Sequence, residues 1–279
     1  MSAATRRIAL LQMTTGIDPA ANAAAMARAA EQAAAEGAVM LFTPEMSGLL
    51  DRDRARGSRH VVPEAESQVL AEVRDAAAKA GIWVHIGSMA VKAEGTRWAN
   101  RAFVINPAGE IAARYDKIHM FDVDLATGET WRESAAYQPG GAVVTVDDTP
   151  LGRLGLAICY DIRFPALFEE LGRRRCDAIA IPAAFTVPTG RAHWHLMQRA
   201  RAVEASAFVV SAAQVGRHED GRETYGHSLV VDPWGEVVLD MGAESGLGIT
   251  EIDLARLAEV RAQVPSLANR RLIPTSARP

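Results

Sequence analysis

Gly155-Leu-Ala-Ile-Cys159-Tyr160-Asp161-Ile162-Arg163-Phe164-Pro165 carries an apolar run straight into a thiol, then into polar residues and a proline. Such a run, opened by glycine and closed by polar residues, reads as a buried strand. Pro165 favours a helix start just past the thiol, because its fixed φ suits a first helical turn and its missing N–H costs nothing there. Cys159 therefore stands where a strand hands over to a helix, beside backbone N–H groups free to face a ligand. The plainer reading is a small core residue, the common fate of an intracellular cysteine. Cys176, in Arg173-Arg-Arg-Cys176-Asp177, fits that reading and is assigned no role.

Upstream, Arg7 to Met13 reads as a strand, and Asp18-Pro19 caps an alanine-rich helix that stops before Gly37. Ala38 to Thr43 is a second buried strand, Pro63 to Ala80 is helical up to Gly81, and Ile82 to Met89 is a third strand. Strand alternating with helix favours an α/β fold. From about Asn100 hairpins take over, marked by Asn106-Pro-Ala-Gly109, Thr149-Pro-Leu-Gly152 and Asp232-Pro-Trp-Gly235. Each sets proline second and glycine fourth, as a type I turn prefers. A helix after Phe164, a strand Asp177 to Ile181, a helix from about Arg191 to Ala205 and a strand Ala207 to Ala213 complete the pattern. The recurring hairpins predict two sheets of similar build in a single domain.

The chain has 279 residues, 49% of them hydrophobic, so it can bury a large core. A net charge of -4 supplies no basic field, which argues against nucleic acid and acidic membranes as partners. Two cysteines suit a reduced, cytoplasmic setting better than a disulfide scaffold. The Arg6-Arg7 pair looks like a twin-arginine signal, but the apolar run after it is short, and it is expected to open the first strand. No apolar stretch approaches the roughly 20 residues of a membrane span.

Val39-Met-Leu-Phe-Thr43 runs into Pro44-Glu45, placing a carboxylate at the same kind of strand end as Cys159. Glu45 is either a general base or a partner for an arginine of Asp51-Arg-Asp-Arg-Ala-Arg56. Lys117 lies in Tyr115-Asp-Lys117-Ile-His-Met-Phe-Asp122, among side chains that make poor surface company. An ammonium held there would lower a thiol pKa and bind a developing oxyanion. A Cys–His mechanism stays open, with His119, His193 or His227 as the base. A metal is rejected, because His193-Trp-His195 lacks i,i+4 spacing and neither cysteine belongs to a paired motif. No phosphate loop, dinucleotide fingerprint or serine elbow occurs. Arg163 follows the thiol by one helical turn and can clamp a substrate carboxylate, or else pair with Glu169 or Glu170.

Taken together and in this order, Pro44-Glu45, the Lys117 segment and the Cys159 segment resemble the Glu–Lys–Cys triad of the nitrilase superfamily, the carbon–nitrogen hydrolases. The likeness runs to about Arg271 through Thr189-Gly-Arg-Ala-His-Trp194, Arg199-Ala-Arg-Ala-Val-Glu204 and Tyr225-Gly-His-Ser-Leu-Val-Val-Asp-Pro-Trp-Gly235, which are most similar to the Nit branch. The resemblance implies an α/β four-layer α-β-β-α sandwich over residues 1–279 with its core at about 6–271. It also implies a homodimer or higher homo-oligomer built through helices, and no metal or organic cofactor. Glu45 would take the proton of Cys159, Lys117 and the backbone N–H of Tyr160 would hold the oxyanion, and Glu133 would assist. On the residues alone Glu133 reads as a surface group. Phe185 and Thr189 match pocket-lining positions; packing and a helix N-cap are the plainer readings.

The activity implied is thiol amidohydrolysis of a small carboxylate-bearing amide through a thioester, with release of ammonia. Deaminated glutathione is the first expected substrate, and the omega-amides 2-oxoglutaramate and 2-oxosuccinamate come second; Gln214-Val-Gly-Arg-His218 tips the choice. Nitrile or N-carbamoyl hydrolysis, and a binding protein without catalysis, are the other readings. Asp116, Ser47 and His195 depart from the family pattern, and the last two are expected to alter the pocket's shape and charge.

Overall fold

The structure, a computed structural model, describes residues 5–93, 95, 97–126 and 128–273. The ends of the expected 1–279 domain lie outside them. The first sheet holds β1 (Thr5–Gln12), β2 (Met40–Phe42), β3 (Trp83–Lys92), β4 (Trp98–Ile105), β5 (Ile111–Asp116) and β16 (Gly246–Asp253). Two hairpins, β6 (Asp122–Asp124) with β7 (Thr130–Arg132) and β12 (Val215–Arg217) with β13 (Glu223–Tyr225), stand apart from the large sheets. The second sheet holds β8 (Thr145–Thr149), β9 (Gly152–Leu156), β10 (Ala178–Ala180), β11 (Phe208–Ser211), β14 (Leu229–Val231) and β15 (Val237–Asp240).

The two sheets repeat one plan. Their orders are β16-β1-β2-β3-β4-β5 and β8-β9-β10-β11-β14-β15. In each, three parallel strands are followed by an antiparallel pair on one side and flanked by one antiparallel strand on the other. The similar build expected from the recurring turns is therefore present. Two of those turns close by bonds from Gly109 N to Asn106 O and from Gly235 N to Asp232 O, both 2.9 Å.

Helices α1 (Pro19–Ala35) and α3 (Gln68–Ala80) cover the first sheet, and α4 (Pro165–Arg173) and α5 (Val187–Ala205) pack on the second. Besides these there are a short α2 (Arg54–Gly57) and α6 (Ala255–Gln263), whose Leu257 joins the core of the second sheet. Alternation along β1 explains the burial: Ile8 and Leu10 join the core shared with the second sheet, while Ala9 and Leu11 pack with α1 and α3. Both faces are covered, so the strand reads as a continuous apolar run. The chain is thus the four-layer α-β-β-α sandwich that the resemblance implied.

Differences are local. The expected helix from Pro63 begins as a 3-10 turn, Glu64–Glu66, and restarts at Ser67, whose hydroxyl caps Leu70 N at 3.2 Å. Helix α5 starts four residues before Arg191 because Pro188 lies in its first turn, where its ring is tolerated. Strand β2 pairs over three residues only.

His85 on β3 is an exception to the satisfied core. It is buried between the sheets against Phe42, and neither ring nitrogen has a partner among the described residues. Burial lowers its pKa to about 3, against about 6.5 in an unfolded chain. The unfolded state thus takes a proton that the folded state refuses. Stability is full above about pH 6.5 and falls toward pH 3, by at most about 1.4 kcal/mol per pH unit from this group. In urea unfolding, the stability advantage of His85→Leu over the parent should grow between about pH 7 and about pH 4.5. An advantage that stays constant would overturn this account.

Candidate active site

Carboxyl ends of strands from both sheets converge at one place. Glu45 follows β2, Lys117 follows β5, Cys159 follows β9 and Ala184 follows β10. The close approach depends on Gly87, where a Cβ would stand 2.1 Å from Thr43 O, 2.5 Å from Pro44 O and 2.4 Å from Pro182 Cβ. No other residue fits that gap.

Lys117, Glu45 and Glu133 form one buried cluster. Lys117 Nζ lies 2.8 Å from Glu45 Oε1 and 2.9 Å from Glu133 Oε2. Asn100 Nδ2 donates to an oxygen of each glutamate, both at 3.0 Å. Ala184 N–H reaches Glu45 Oε2 at 3.0 Å, and Phe121 N–H reaches Glu133 Oε2 at 2.7 Å. Glu45 therefore pairs with Lys117 and not with the arginines after Asp51; of these, Arg56 pairs with Asp51. Glu133 is drawn in from the surface by Lys117, Asn100 and the Phe121 amide.

Two carboxylates face one ammonium, and that balance sets the thiol. Burial pushes the Cys159 thiol well above its usual pKa, the Glu45 charge adds to the rise, and Lys117 opposes without winning. Lys117 does act to lower the thiol pKa, as expected, but burial first and the Glu45 charge second outweigh it. Burial also works against the Lys117 charge, yet Glu133 and Glu45 outweigh it and hold the ammonium well above its normal value. The thiol keeps its proton at rest and hydrogen-bonds to Glu45.

Cys159 has φ +46, the left-handed region, which costs roughly 1–2 kcal/mol for a residue with a side chain. Its N–H holds Pro182 O at 2.9 Å. Asp161, wholly buried, accepts from Ile158 N at 2.9 Å, from Tyr115 OH at 2.7 Å and from His119 N at 2.9 Å. One carboxylate thereby fastens the cysteine turn to the segment that carries Lys117. Among the described residues the Tyr160 N–H has no protein acceptor.

None of the three histidines serves the thiol. His119 Nδ1 sits 2.7 Å from Asp161 Oδ1, His193 Nδ1 lies 3.4 Å from Arg163, and His227 Nδ1 lies 2.9 Å from Asp240. The Cys–His arrangement left open by the sequence is not the one formed.

The cluster forms the floor of a cavity of about 960 Å³, whose lining includes Cys159, Tyr160, Arg163, Phe185 and Thr189. The Arg163 guanidinium lies 5.6 Å from the Phe185 ring and 5.9 Å from the Tyr160 ring, with no carboxylate partner among the described residues. Glu170 pairs instead with Arg173 and Arg174. Thr189 Oγ1 bonds Thr186 at 2.8 Å, and Phe185 stacks edge-on with Trp194. At the cavity wall, Trp131 lies between the guanidiniums of Arg52 (5.3 Å) and Arg222 (5.0 Å). Ser47 and His195 do not line the cavity, and Asp116 is engaged by Arg101. The pocket change expected from Ser47 and His195 is therefore not a direct one.

Asn100, Asp161 and the Ala184 amide were missed by the sequence reading. Asn100 left a trace as a lone amide in the apolar run Trp98 to Ile105, and Asp161 as an acid beside the nucleophile candidate. The Ala184 amide left none.

Two sheets of one plan, joined face to face, with a buried glutamate, lysine and cysteine at their strand ends, define a thiol hydrolase of the nitrilase class. The carbon-nitrogen hydrolase family model matches residues 7–262, and the chain belongs to that family. It is 39% identical over 95% of its length to a deaminated glutathione amidase of Yersinia enterocolitica, covering 93% of that protein. The C. elegans NitFhit protein superposes with a TM-score of 0.88 at 34% identity, over 97% of this chain and 66% of that one. A mutant of the amidase from Nesterenkonia sp. AN1, in which acrylamide has added to the active-site cysteine, superposes with a TM-score of 0.78 at 26% identity. It is matched over 93% of this chain and 98% of its own. The protein is a carbon–nitrogen hydrolase acting on small molecules. Among the described residues no helix is long and apolar enough to cross a membrane.

Proposed function

We propose that the chain hydrolyses deaminated glutathione, with Cys159 as nucleophile, Glu45 as proton carrier and Lys117 with the Tyr160 N–H as oxyanion donors. The observation that carries the proposal is the Glu45–Lys117 pair, 2.8 Å apart, lining one cavity with Cys159. Glu45 takes the Cys159 proton as sulfur attacks the amide carbonyl, and the oxyanion forms against Lys117 and Tyr160 N–H. The same proton passes to the departing nitrogen, which leaves as an amine and a thioester remains. Glu45 then deprotonates water, hydroxide adds to the thioester, the intermediate collapses with loss of the C–S bond to leave the carboxylic acid, and Glu45 returns the proton to sulfur. Glu133 assists by holding Lys117 and Asn100 in place.

The leaving group depends on the substrate. A primary omega-amide releases the ammonia expected from the sequence, whereas deaminated glutathione, whose amide nitrogen lies in a peptide link, releases instead the dipeptide beyond that link, with a free amino terminus. Arg163, with no carboxylate partner among the described residues, suits the carboxylate of either substrate. A volume near the top of the usual ligand range, about 300–1,000 Å³, favours the larger one. Yersinia's deaminated glutathione amidase, similar over nearly the whole chain, supports the same choice. A homodimer and a cytoplasmic location, implied by the resemblance, stay part of the proposal; solution mass and cell fractionation test them.

The test compares kcat/KM for deaminated glutathione and 2-oxoglutaramate, in parent and Arg163→Leu. The parent is expected to prefer deaminated glutathione, and the variant to raise KM by about tenfold or more with a smaller change in kcat. A strong preference for 2-oxoglutaramate would reverse the ranking. An unchanged KM in the variant would remove Arg163 from substrate binding.

A further inference from the structure

Spacing along the chain hides a histidine pair that folding assembles. His195 on α5, His227 between β13 and β14, and Asp240 at the end of β15 bring one ligand atom each within 4.8 Å of one another. His195 Nε2 lies 2.9 Å from Asp240 Oδ2, and His227 Nδ1 lies 2.9 Å from Oδ1. None of the three lines the catalytic cavity. Two imidazoles aimed at one carboxylate from three separate elements exceed what a simple surface pair requires.

The cluster is braced. His227 adopts φ +56; its N–H donates to Gly242 O at 2.7 Å and its carbonyl accepts Trp194 Nε1 at 2.8 Å. Its ring stacks on Tyr225 with centroids 4.4 Å apart, and the His195 ring meets it edge-on at 5.3 Å. Gly242 N–H holds Asp240 Oδ1 at 2.9 Å. Backbone and ring contacts thus fix two of the three groups before any ligand arrives.

We propose that His195, His227 and Asp240 bind a divalent transition metal of the zinc class, with a water as fourth ligand. Two imidazoles and a carboxylate are a known three-residue donor set for zinc, and neutral imidazole suits it. Tetrahedral donors on metal–ligand bonds of about 2.0–2.2 Å lie roughly 3.3–3.6 Å apart, so the two 2.9 Å His–Asp contacts need only open by a few tenths of an ångström around the ion, which the partly exposed His195 ring can supply. On binding, each ring stays neutral and its proton moves to the far nitrogen, Nδ1 of His195 and Nε2 of His227. The ion would tie α5 to the β14–β15 hairpin behind the Phe185–Trp194 wall, and take no part in hydrolysis.

The test uses chelator-treated full-length protein carrying Cys159→Ala, so that the catalytic thiol cannot take up metal. Zinc chloride is titrated by calorimetry, melting temperatures are read in parallel, and cobalt(II) serves as a spectroscopic probe. One equivalent of zinc should bind, raise the melting temperature and, as cobalt, give the visible absorption of a four-coordinate site. His195→Ala and Asp240→Asn should each weaken binding by about 100-fold. Asp240→Asn keeps an oxygen for Gly242 N–H, so a folding failure in one variant leaves the other to decide. No uptake of zinc, or uptake of unchanged affinity in a folded variant, overturns the site and leaves a hydrogen-bonded His–Asp–His cluster.

Discussion

Cys159→Ala eliminates amide hydrolysis while the protein keeps its fold and its affinity for substrate. In the proposed mechanism the lost sulfur is the atom that becomes acylated, and no other described nucleophile stands beside Glu45 and Lys117. A fall in kcat of about 10⁴-fold or more is expected, because the covalent route closes and water must attack the amide directly. Stability should change by no more than about 1 kcal/mol: the residue is small, and alanine meets the same φ penalty at +46 as cysteine does. The bonds that shape the turn, from Cys159 N to Pro182 O and from Ile158 N to Asp161, do not involve the thiol. The measurement pairs steady-state kinetics with calorimetric binding of uncleaved substrate. Turnover within tenfold of the parent would eliminate the thioester mechanism.

The same substitution tests a subtler point about the resting enzyme. Burial and Glu45 keep the thiol protonated, so alkylation near neutral pH depends on Glu45 accepting the proton as the electrophile arrives. Cys176 is wholly buried, its thiol pushed up to about 12 by burial, and it should stay unlabelled.

What the sequence disclosed, and what it withheld, follows from the range of the interactions involved. Glu45 and Cys159 were legible because each follows a short apolar strand, and Lys117 because apolar and aromatic residues flank it, patterns confined to a few neighbouring residues. The α/β alternation and the three Pro–Gly turns were legible for the same reason, and the turns even foretold two sheets of one plan. Glu133 was not, since its place depends on Asn100, 33 positions away, and on a bond to the Phe121 amide. The net rise of the thiol pKa was not legible, because burial, its largest cause, and the nearby Glu45 charge depend on segments distant in the sequence. His195 was judged on its distance from His193, whereas its partners are His227 and Asp240 on other elements.

Lys117→Ala should cost nearly as much activity as loss of the thiol, and it should cost stability as well. In the proposed mechanism the ammonium is an oxyanion donor, and removal of one such donor lowers kcat by about 10²–10³. It is also the cation between Glu45 and Glu133, whose other partners are neutral: the shared Asn100 amide and one backbone N–H each. Without it, two buried carboxylates repel, and one must take up a proton. Glu45 is then held partly as an acid, no longer free to receive the Cys159 proton, so the total fall in kcat/KM reaches about 10³–10⁴. Breaking a buried ion pair from one side costs about 3–5 kcal/mol, which denaturant unfolding would register. The double variant Lys117→Met with Glu133→Gln separates the two losses. It removes one of the stranded charges and fills the space of the lysine stem, so stability should recover in large part. Activity should not, because neither methionine nor glutamine places a cation at the oxyanion. Recovered turnover in that double variant, or a Lys117→Ala enzyme within tenfold of the parent, would show that Lys117 is only a structural counter-ion.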